Sequence, residues 1–502
     1  MFYNEGYIDS KIKNRSTKVQ VRKLFWKRVL SLLVKNLIFV PMKTQKIFFP
    51  VVALVISILV FNNCSADRSV NKESGEKIVD HGILRVDDNG RYFVFEDGTP
   101  YIPVGLNHFL IYRKGAAIDS MMQIWSQHGV NYLRIWAGLG ADPETAVGQF
   151  DEMQMQSLDS VIHYCKKYGI YLNISFWNEN CIGEQKGDWG WNGSRQIYNK
   201  EHSDLGTTTN ADDLKDTIHA ASWTAMKNRY AYFVERWKNE PIIIMWDLAN
   251  DSKKSDAWKA GMYDFVKKLD GTGRLVTFQY NTSIDPKGEM DCGSVRVYGY
   301  NPAGNDPEVM MATLADRIKE ALTHGDPVYV GEGGMDYPEG SEYEFERGFL
   351  HFLWAPLAVG AAGNLHPWVS PRTWPELTEQ KLTWIKGFSE FCSTIKWNEF
   401  NSRNINDKIE SDNDNVKVYA CADNKKALIY LMNDDQADIF GPVKTRLKIS
   451  APFDNGHYTL DWIDIRTGSI SGSIELSAFP ATVDTPEFKD GLFAHLRKSR
   501  DN

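Results

Sequence analysis

The sequence predicts an α/β fold, a (β/α)8 barrel followed by a small antiparallel β-sandwich. Short apolar runs alternate with amphipathic helical patterns between residues 81 and 395. Several of the helical patterns stop at a glycine, as helix C-caps commonly do. Eight strand–helix units fit a closed barrel, and an open doubly wound sheet is the alternative. Because no Gly-rich phosphate loop follows the first strand, the alternative is the weaker of the two.

Size, charge and composition limit the function classes. At 502 residues the chain is long enough for two domains with a large core. The net charge of −8 argues against a surface that binds nucleic acid. The aromatic content of 13%, with 16 tryptophans, exceeds what packing alone usually requires.

The N-terminal region has the layout of a bacterial export signal. Residues 42–64 contain a charged start, an apolar stretch from 47 to 61 and then Cys64, which resembles a lipoprotein signal peptide. On this interpretation Cys64 is lipidated, and a lipid anchor alone holds the exported protein at the periplasmic or outer face of a bacterial (outer) membrane. The alternative is an uncleaved membrane anchor with an incidental cysteine. Residues 1–41 resemble an upstream extension, and residues 65–80 a linker.

The remaining cysteines indicate neither a metal site nor a disulfide framework. None of the five has metal-ligand spacing such as C-x-x-C, and an odd number cannot pair completely. Buried thiols, with room for one disulfide, are the better interpretation. No metal or other cofactor is predicted. The five residues are Cys165, Cys181, Cys292, Cys392 and Cys421.

The predicted barrel strands end in polar or aromatic residues. In chain order the segments read YIPVGLNH, VNYLRIWA, IYLNISFWNE, IIIMWDLAND, RLVTFQYN, SVRVYGYN, PVYVGEGG and AAGNLHPW. The chemistry of such barrels lies at the C-terminal strand ends, where an unpaired buried polar side chain would be costly. Aromatic rings mixed with hydrogen-bonding groups favour a neutral, polyhydroxylated ligand. The residues concerned are Asn107, His108, Arg134, Trp136, Trp177, Glu179, Asn250, Asp251, Tyr298, Tyr300, Glu332, His366 and Trp368.

Two carboxylates are the candidate catalytic pair. Glu332 ends the seventh strand and Asp251 the fourth, and these strands face each other across the mouth of an eight-stranded barrel. Retaining glycosidases need a nucleophile and an acid/base carboxyl about 5–5.5 Å apart. Glycines flank Glu332 on both sides, so we expect its backbone to approach a substrate closely.

Between residues 80 and 395 the chain resembles the clan A glycoside hydrolases, and most nearly glycoside hydrolase family 5. The arginine that ends strand two of that family is matched by Arg134, and its Asn-Glu pair on strand four by Asn250 and, with one change, Asp251. Its strand-seven nucleophile matches Glu332, and its strand-eight aromatic residue matches Trp368. The resemblance implies that Arg134 holds the nucleophile, Asn250 bonds the sugar 2-hydroxyl and Trp368 forms the floor of the −1 subsite.

The sequence departs from the family pattern on strands three, four and six. FWNENC stands where the family has a strand-three histidine, and of its His-x-Tyr on strand six only Tyr300 is matched. Asp251 replaces the acid/base glutamate and withdraws the carboxyl by one methylene, which matters for catalytic geometry. A backbone shift, an inverting mechanism with a wider gap, or a disabled enzyme would each explain it. Glu179 on the neighbouring strand is a further candidate acid.

The segment 178–214 is long for a strand–helix connection and contains Trp189 and Trp191. It is either an Ω-loop packed by its own aromatic residues or a wall of the outer sugar subsites. In a protein that binds sugar we favour the second interpretation.

The C-terminal part changes in pattern. A polar, turn-rich stretch at 396–415 predicts a linker, and residues 416–500 contain short strands without a helix-length pattern. These strands predict a β-sandwich similar to the accessory domains that follow glycosidase barrels. The domain either packs against the barrel or binds carbohydrate.

The sequence therefore predicts a glycoside hydrolase that cleaves a β-linked polysaccharide or oligosaccharide. Its partner is a carbohydrate substrate, with Glu332 as nucleophile and Asp251 as acid/base in a retaining mechanism. The alternative is a catalytically degenerate, surface-tethered protein that binds glycans.

Overall fold

The computed structural model describes residues 80–108, 111–137, 143–176, 221–250, 255–279, 290–298, 307–334, 342–365, 377–435, 438, 441–450 and 453–499. The predicted upstream extension, the signal segment with Cys64 and all but the last residue of the linker at 65–80 lie outside these ranges. No helix within these ranges is long and apolar enough to cross a bilayer.

The described elements up to residue 393 include both strands and helices, and those afterwards are nearly all strands. The helices are α1 (Ala117–Gln127), α2 (Glu152–Tyr168), α3 (Ala221–Trp237), α4 (Asp256–Asp270), α5 (Pro307–Leu322), α6 (Glu342–Val359) and α7 (Glu379–Ser393), with 3-10 turns at Ile111–Lys114, Trp397–Glu399 and Asn406–Lys408. The strands up to the last barrel strand are β1 (Leu84–Val86), β2 (Phe93–Phe95), β3 (Pro100–Tyr101), β4 (Val104–Asn107), β5 (Tyr132–Trp136), β6 (Glu144–Ala146), β7 (Gln149–Phe150), β8 (Tyr171–Ser175), β9 (Ile243–Asp247), β10 (Leu275–Thr277), β11 (Gly293–Tyr298), β12 (Val328–Gly334) and β13 (Asn364–Leu365). The remaining strands are β14 (Arg403–Asn404), β15 (Ile409–Ser411), β16 (Val416–Ala422), β17 (Lys426–Asn433), β18 (Arg446–Ile449), β19 (Tyr458–Ile463), β20 (Ile470–Leu476), β21 (Ala481–Asp484) and β22 (Gly491–Lys498).

Eight parallel strands form the barrel that the sequence predicts. Hydrogen-bonded neighbours follow the order β10-β9-β8-β5-β4-β13-β12-β11, which is chain order around a circle. A parallel bridge between Gln279 and Ser294 joins the two ends of this row. The sheet therefore closes, and the prediction of a barrel rather than an open doubly wound sheet is confirmed.

Local sequence signals explain where the helices begin and end. The Asp151 side chain caps α2 by accepting from the backbone N–H groups of Met153 and Gln154, and Gly169 ends the helix with φ +67°. Ser255 likewise caps the N-terminus of α4, and Gly271 ends that helix in the left-handed conformation. The apolar stripe of α2 is buried against the barrel, as the 3.6-residue period predicts.

The four cysteines in the described ranges are buried and free of disulfides, whereas Cys181 lies outside those ranges. The buried thiols are those of Cys165, Cys292, Cys392 and Cys421. Burial raises the pKa of the Cys421 thiol to about 12, so it behaves as a small apolar side chain.

Two antiparallel sheets form the C-terminal sandwich, so the predicted β-sandwich is also confirmed. One has the order β14-β16-β17-β22-β19-β20 and the other β15-β18-β21, with an apolar core between them. The segment 396–415, predicted as a linker, contributes β14 and β15 to these sheets. Polar turn residues suggested a connector, but pairing with distant strands turns parts of the segment into sheet edges.

The sandwich packs directly on α6 of the barrel. The Trp354 indole donates to the Ile465 carbonyl at 2.8 Å, and one apolar cluster extends from the barrel into β17 and β22. Asp490 lies between two arginines from the two sides, Arg347 of α6 and Arg466 of the sandwich. Lys77–Asn502 accordingly forms one compact unit.

Candidate active site

A bulge in the barrel directs Glu332 towards the interior. Val295 pairs with Val330, but the next residue of β11, Arg296, pairs with Glu332, so Gly331 is an extra residue in β12. Tyr329 points into the barrel, where its hydroxyl accepts from Asn173 at 3.1 Å. Strict alternation from Tyr329 would point Glu332 outward. The extra residue reverses this direction and sets the carboxylate at the inner C-terminal rim.

The glycines around Glu332 are required by packing between strands. A side chain at Gly333, which has φ +146°, would place its Cβ 2.1 Å from the Val297 carbonyl oxygen. At Gly331 a Cβ would lie 2.1 Å from the Ser294 hydroxyl. The close approach that we expected of this backbone is therefore an approach to β11.

Four side chains hold the Glu332 carboxylate from both sides. Asn107 Nδ2 and Arg134 Nη1 donate to its Oε2 at 3.1 and 3.2 Å. The Tyr298 hydroxyl donates to Oε1 at 2.5 Å, and Arg296 Nε lies 3.3 Å from the same oxygen. Glu332 is only 2% exposed, so these contacts fix the orientation of a nearly buried carboxylate.

Arg134 joins Glu332 to the end of the fourth barrel strand. Its Nε donates to Asp247 Oδ2 at 2.9 Å, a second bond runs from Nη2 to the same oxygen, and Nη2 also donates to Asn250 Oδ1 at 2.9 Å. Arg134, Asp247 and Asn250 are all fully buried. One planar guanidinium thereby positions residues from β9 and β12 across the barrel.

Burial and charge act in opposite directions on this ion pair. Burial raises the pKa of Asp247, and the nearby Arg134 offsets this only in part. Burial alone would lower the pKa of Arg134, but the charges of Asp247 and Glu332 outweigh it and raise that pKa. The guanidinium therefore stays charged, while Asp247 is the member of the pair that protonates more readily than an ordinary aspartate.

Several buried polar atoms of the site have no hydrogen-bond partner among the described residues. They include Asn107 Oδ1, Asp247 Oδ1 and Asn250 Nδ2. Because Arg134 occupies the carbonyl oxygen of Asn250, the amide group of that residue is left to donate elsewhere. Buried polar atoms without partners are rare in folded proteins, and at a barrel mouth they are available to a ligand.

His108 lies away from this cluster. Asn107 points inward, and the His108 ring lies 6.0 Å from that of Trp125 in α1, on the helix side of the strand. Burial, followed by the charge of Lys114, lowers the pKa of His108 to about 4. The structure shows the imidazole beside Trp125, and the predicted substrate contact stays a prediction.

The structure brings five of the predicted site residues together at one strand-end cluster. It also describes His108 and Trp136, and the ring of Trp136 lies 5.9 Å from the guanidinium carbon of Arg134. Asn107, Arg134, Asn250, Tyr298 and Glu332 form the cluster. The predicted residues outside the described ranges are Asp251, Trp177, Glu179, Trp189, Trp191, Tyr300, His366 and Trp368.

Sequence reasoning assigned no role to Asp247 or Arg296. Both lie on inner positions of their strands. A barrel strand presents every second residue to the interior, so the alternation of Ser294, Arg296 and Tyr298 along β11 indicates that Arg296 points inward. Among the described residues, no group of three or more His, Cys, Asp or Glu side chains is arranged to hold a metal ion.

Comparison with known proteins finds similarity to the barrels of glycoside hydrolases. The family model described as the TIM barrel domain of glycosyl hydrolases family 2 matches residues 159–327. A glycoside hydrolase family 5 structure from Bacteroides vulgatus has a TM-score of 0.62 at 15% identity, covering 84% of this chain and 94% of its own. Another glycoside hydrolase structure has a TM-score of 0.59 at 15% identity, with 84% and 98% covered. At these identities the likeness shows a shared fold.

Curated relatives match part of the chain. Mannan endo-1,4-beta-mannosidase 3 of Oryza sativa is 29% identical over 216 residues, which is 38% of this chain and 44% of that protein. Mannan endo-1,4-beta-mannosidase 5 of Solanum lycopersicum is 29% identical over 219 residues, 38% and 49% of the two chains. The chain thus spans about half the length of the curated relatives it matches. Together the comparisons support the resemblance to clan A glycoside hydrolases.

Proposed function

We propose that this chain is a glycoside hydrolase that cleaves a β-linked polysaccharide or oligosaccharide by a retaining mechanism. The environment of Glu332 carries the proposal. Three hydrogen-bond donors and the nearby Arg296 orient this carboxylate at the rim of the barrel, at the strand end where the family resemblance places the nucleophile. Contacts on both oxygens fix the direction in which the carboxylate faces the barrel mouth, as a nucleophile requires.

In the proposed first step, Glu332 attacks the anomeric carbon and Asp251 protonates the departing glycosidic oxygen. The bond to the leaving group breaks, and a covalent glycosyl-enzyme forms. In the second step Asp251 takes a proton from water, which displaces Glu332 and restores the original configuration. Asn250, whose oxygen is held by Arg134, would donate through Nδ2 to the sugar 2-hydroxyl.

The similarity to mannan endo-1,4-beta-mannosidases suggests the first substrates to test. We propose β-1,4-mannan and mannooligosaccharides as the leading candidates, with other β-linked glucans as comparison. Neutral sugars agree with the carboxamides and the tyrosine of the cluster, which are uncharged donors and acceptors for hydroxyl groups.

Glu332→Gln should abolish turnover and leave the fold intact, because neighbouring groups cannot replace a covalent step. Hydrolysis of the mannan panel and thermal unfolding are measured together. Glu410→Gln is the matched control, since Glu410 forms an exposed ion pair with Lys448 in the sandwich at 3.0 Å. Appreciable residual turnover in folded Glu332→Gln protein would remove Glu332 as the nucleophile.

Asp251→Ala tests the acid. It should lose most activity on natural glycosides but keep the first step on substrates whose leaving groups need no proton. Azide should rescue the second step and give a glycosyl azide of retained configuration. If Glu179→Ala abolishes cleavage of natural substrates while Asp251→Ala does not, Glu179 is the acid. A parent protein that binds glycans but cleaves none is the degenerate binding protein of the alternative.

A further inference from the structure

Gln279 is a buried carboxamide that the proposed mechanism does not use. Its side chain has no solvent exposure, and neither Oε1 nor Nε2 has a hydrogen-bond partner in the part of the chain that the structure describes. The residue lies two positions after the end of β10 and forms the bridge to Ser294 that closes the barrel.

The side chain of Gln279 points into the barrel. The ring of the preceding residue, Phe278, lies 6.2 Å from that of Trp258 in α4, so Phe278 faces the helix layer. Successive residues of an extended strand point to opposite faces, which turns Gln279 towards the interior.

The register places Gln279 towards the mouth. Thr277 pairs with Asp247, the partner of Arg134. Gln279 lies two residues further along the strand, and its backbone N–H donates to the Ala249 carbonyl at 3.4 Å. Its carboxamide therefore lies one inward-facing layer closer to the mouth than Asp247, on the strand that neighbours β9.

A purely structural role does not explain this residue. Burying an amide without partners destabilises a fold, whereas an apolar side chain of similar shape would fill the same space at no such cost. Side chains that weaken the fold and sit at a barrel mouth are typical of binding sites. A carboxamide both donates and accepts, which matches a hydroxyl group.

We propose that Gln279 is a further substrate-binding residue, whose carboxamide hydrogen-bonds a hydroxyl of the sugar bound at the barrel mouth. The proposal rests on the proposed glycosidase function and adds a contact from the fifth barrel strand. Asn107 and Asn250 contact the site from the first and fourth strands, so Gln279 would extend the ring of uncharged groups around the ligand.

The test replaces Gln279 by methionine, which has a similar shape, and separately by leucine. We expect the midpoint of thermal unfolding to stay unchanged or to rise in both variants. We expect kcat/KM on β-1,4-mannooligosaccharides and aryl β-glycosides to fall about tenfold, as for one lost hydrogen bond. Gln123→Met, on the exposed face of α1, is the control and should change neither quantity.

Monodeoxy aryl glycosides then identify the hydroxyl. Loss of the hydroxyl that Gln279 binds should slow the parent but not the Gln279→Met protein, while loss of any other should slow both equally. The affinity of Glu332→Gln protein for mannotetraose, measured with and without the additional Gln279→Met substitution, tests the same contact in the absence of turnover.

Three results would overturn the inference. Unchanged kcat/KM in a parent that is active would show that Gln279 does not touch substrate, and would leave the proposed function standing. A marked fall in the unfolding midpoint of both variants would show a structural role. A parent that neither binds nor cleaves any of these glycans would overturn the proposed function and this inference with it.

Discussion

Replacing Arg134 by methionine should reduce both stability and turnover. The guanidinium is fully buried and donates to three side chains, those of Asp247, Asn250 and Glu332. Methionine occupies similar space but offers no donor and no charge. Two buried carboxylates thereby lose their shared cation, and the carboxylate proposed as nucleophile loses one of the contacts that orient it.

The size of the stability loss can be estimated from the structure. Removing one partner of a buried ion pair costs about 3–5 kcal/mol, because the other charge stays buried. The compact unit spans Lys77–Asn502, so its unfolding entropy is roughly 0.9 kcal/mol per kelvin, and the midpoint should fall by roughly 3–6 °C.

The deficit should depend on pH in a defined direction. Burial raises the pKa of Asp247 even with Arg134 present, and removing the cation should raise it further. A carboxyl whose pKa is higher in the folded state stabilises the fold when protonated, and this contribution is lost as the pH rises through the folded-state pKa. The difference in midpoint between parent and Arg134→Met should therefore narrow as the pH is lowered from neutrality.

Arg229→Met is the matched control. Arg229 is a buried arginine of the same barrel, paired with Glu144 at 2.8 Å and donating to the carbonyls of Ala137 and Phe176 at 2.6 and 3.1 Å. Calorimetry should show comparable losses of stability for both variants. Only Arg134→Met should lose turnover, by roughly 10- to 100-fold, as expected when a carboxylate loses one charged hydrogen-bond donor. A midpoint within about 1 °C of the parent for Arg134→Met, or an equal loss of turnover in the control, would refute this reasoning.

Three further predictions concern other parts of the chain. Tyr298→Phe removes the hydroxyl that donates to Glu332 at 2.5 Å and should lower kcat/KM about 10- to 100-fold at unchanged stability; activity within twofold of the parent would contradict it. Burial alone would raise the pKa of Asp490, but a tyrosine hydrogen bond and a neighbouring arginine hold it below its usual value, so Asp490→Asn should destabilise by about 3 kcal/mol at neutral pH and by progressively less below about pH 4. The exposed Asp484→Asn should cost less than about 1 kcal/mol, and equal losses would show that the burial of Asp490 is irrelevant. Cys64→Ala protein expressed from Met42 should lose its lipid-dependent membrane attachment in fractionation; unchanged attachment would favour the uncleaved anchor.

The parts of the fold that rest on local signals could be predicted from the sequence. Strand and helix periods, the glycines that end several helices and the order of eight units identify the barrel, because each signal acts over a few residues. The strand-end rule then places Arg134, Asn250 and Glu332 at one rim. The structure confirms the barrel and brings these three side chains into contact.

Pairing between distant strands escaped prediction where local composition was ambiguous. Residues 396–415 are polar and rich in turn formers, yet Arg403–Asn404 pairs with Cys421 and Ala422, and Ile409–Ser411 pairs with β18. Edge strands need few apolar residues, because one side of them faces solvent.

What the sequence alone determined is the set of residues at the rim, since strand ends are encoded locally. Which of these side chains point inward was decided by the tertiary structure. The extra residue at Gly331 reverses the alternation of β12 and sets Glu332 opposite Arg296, while His108 turns towards α1 and Asp247 becomes the partner of Arg134. Side-chain direction depends on the hydrogen-bond register between strands that are far apart in the chain, and that register exists only once the barrel has closed.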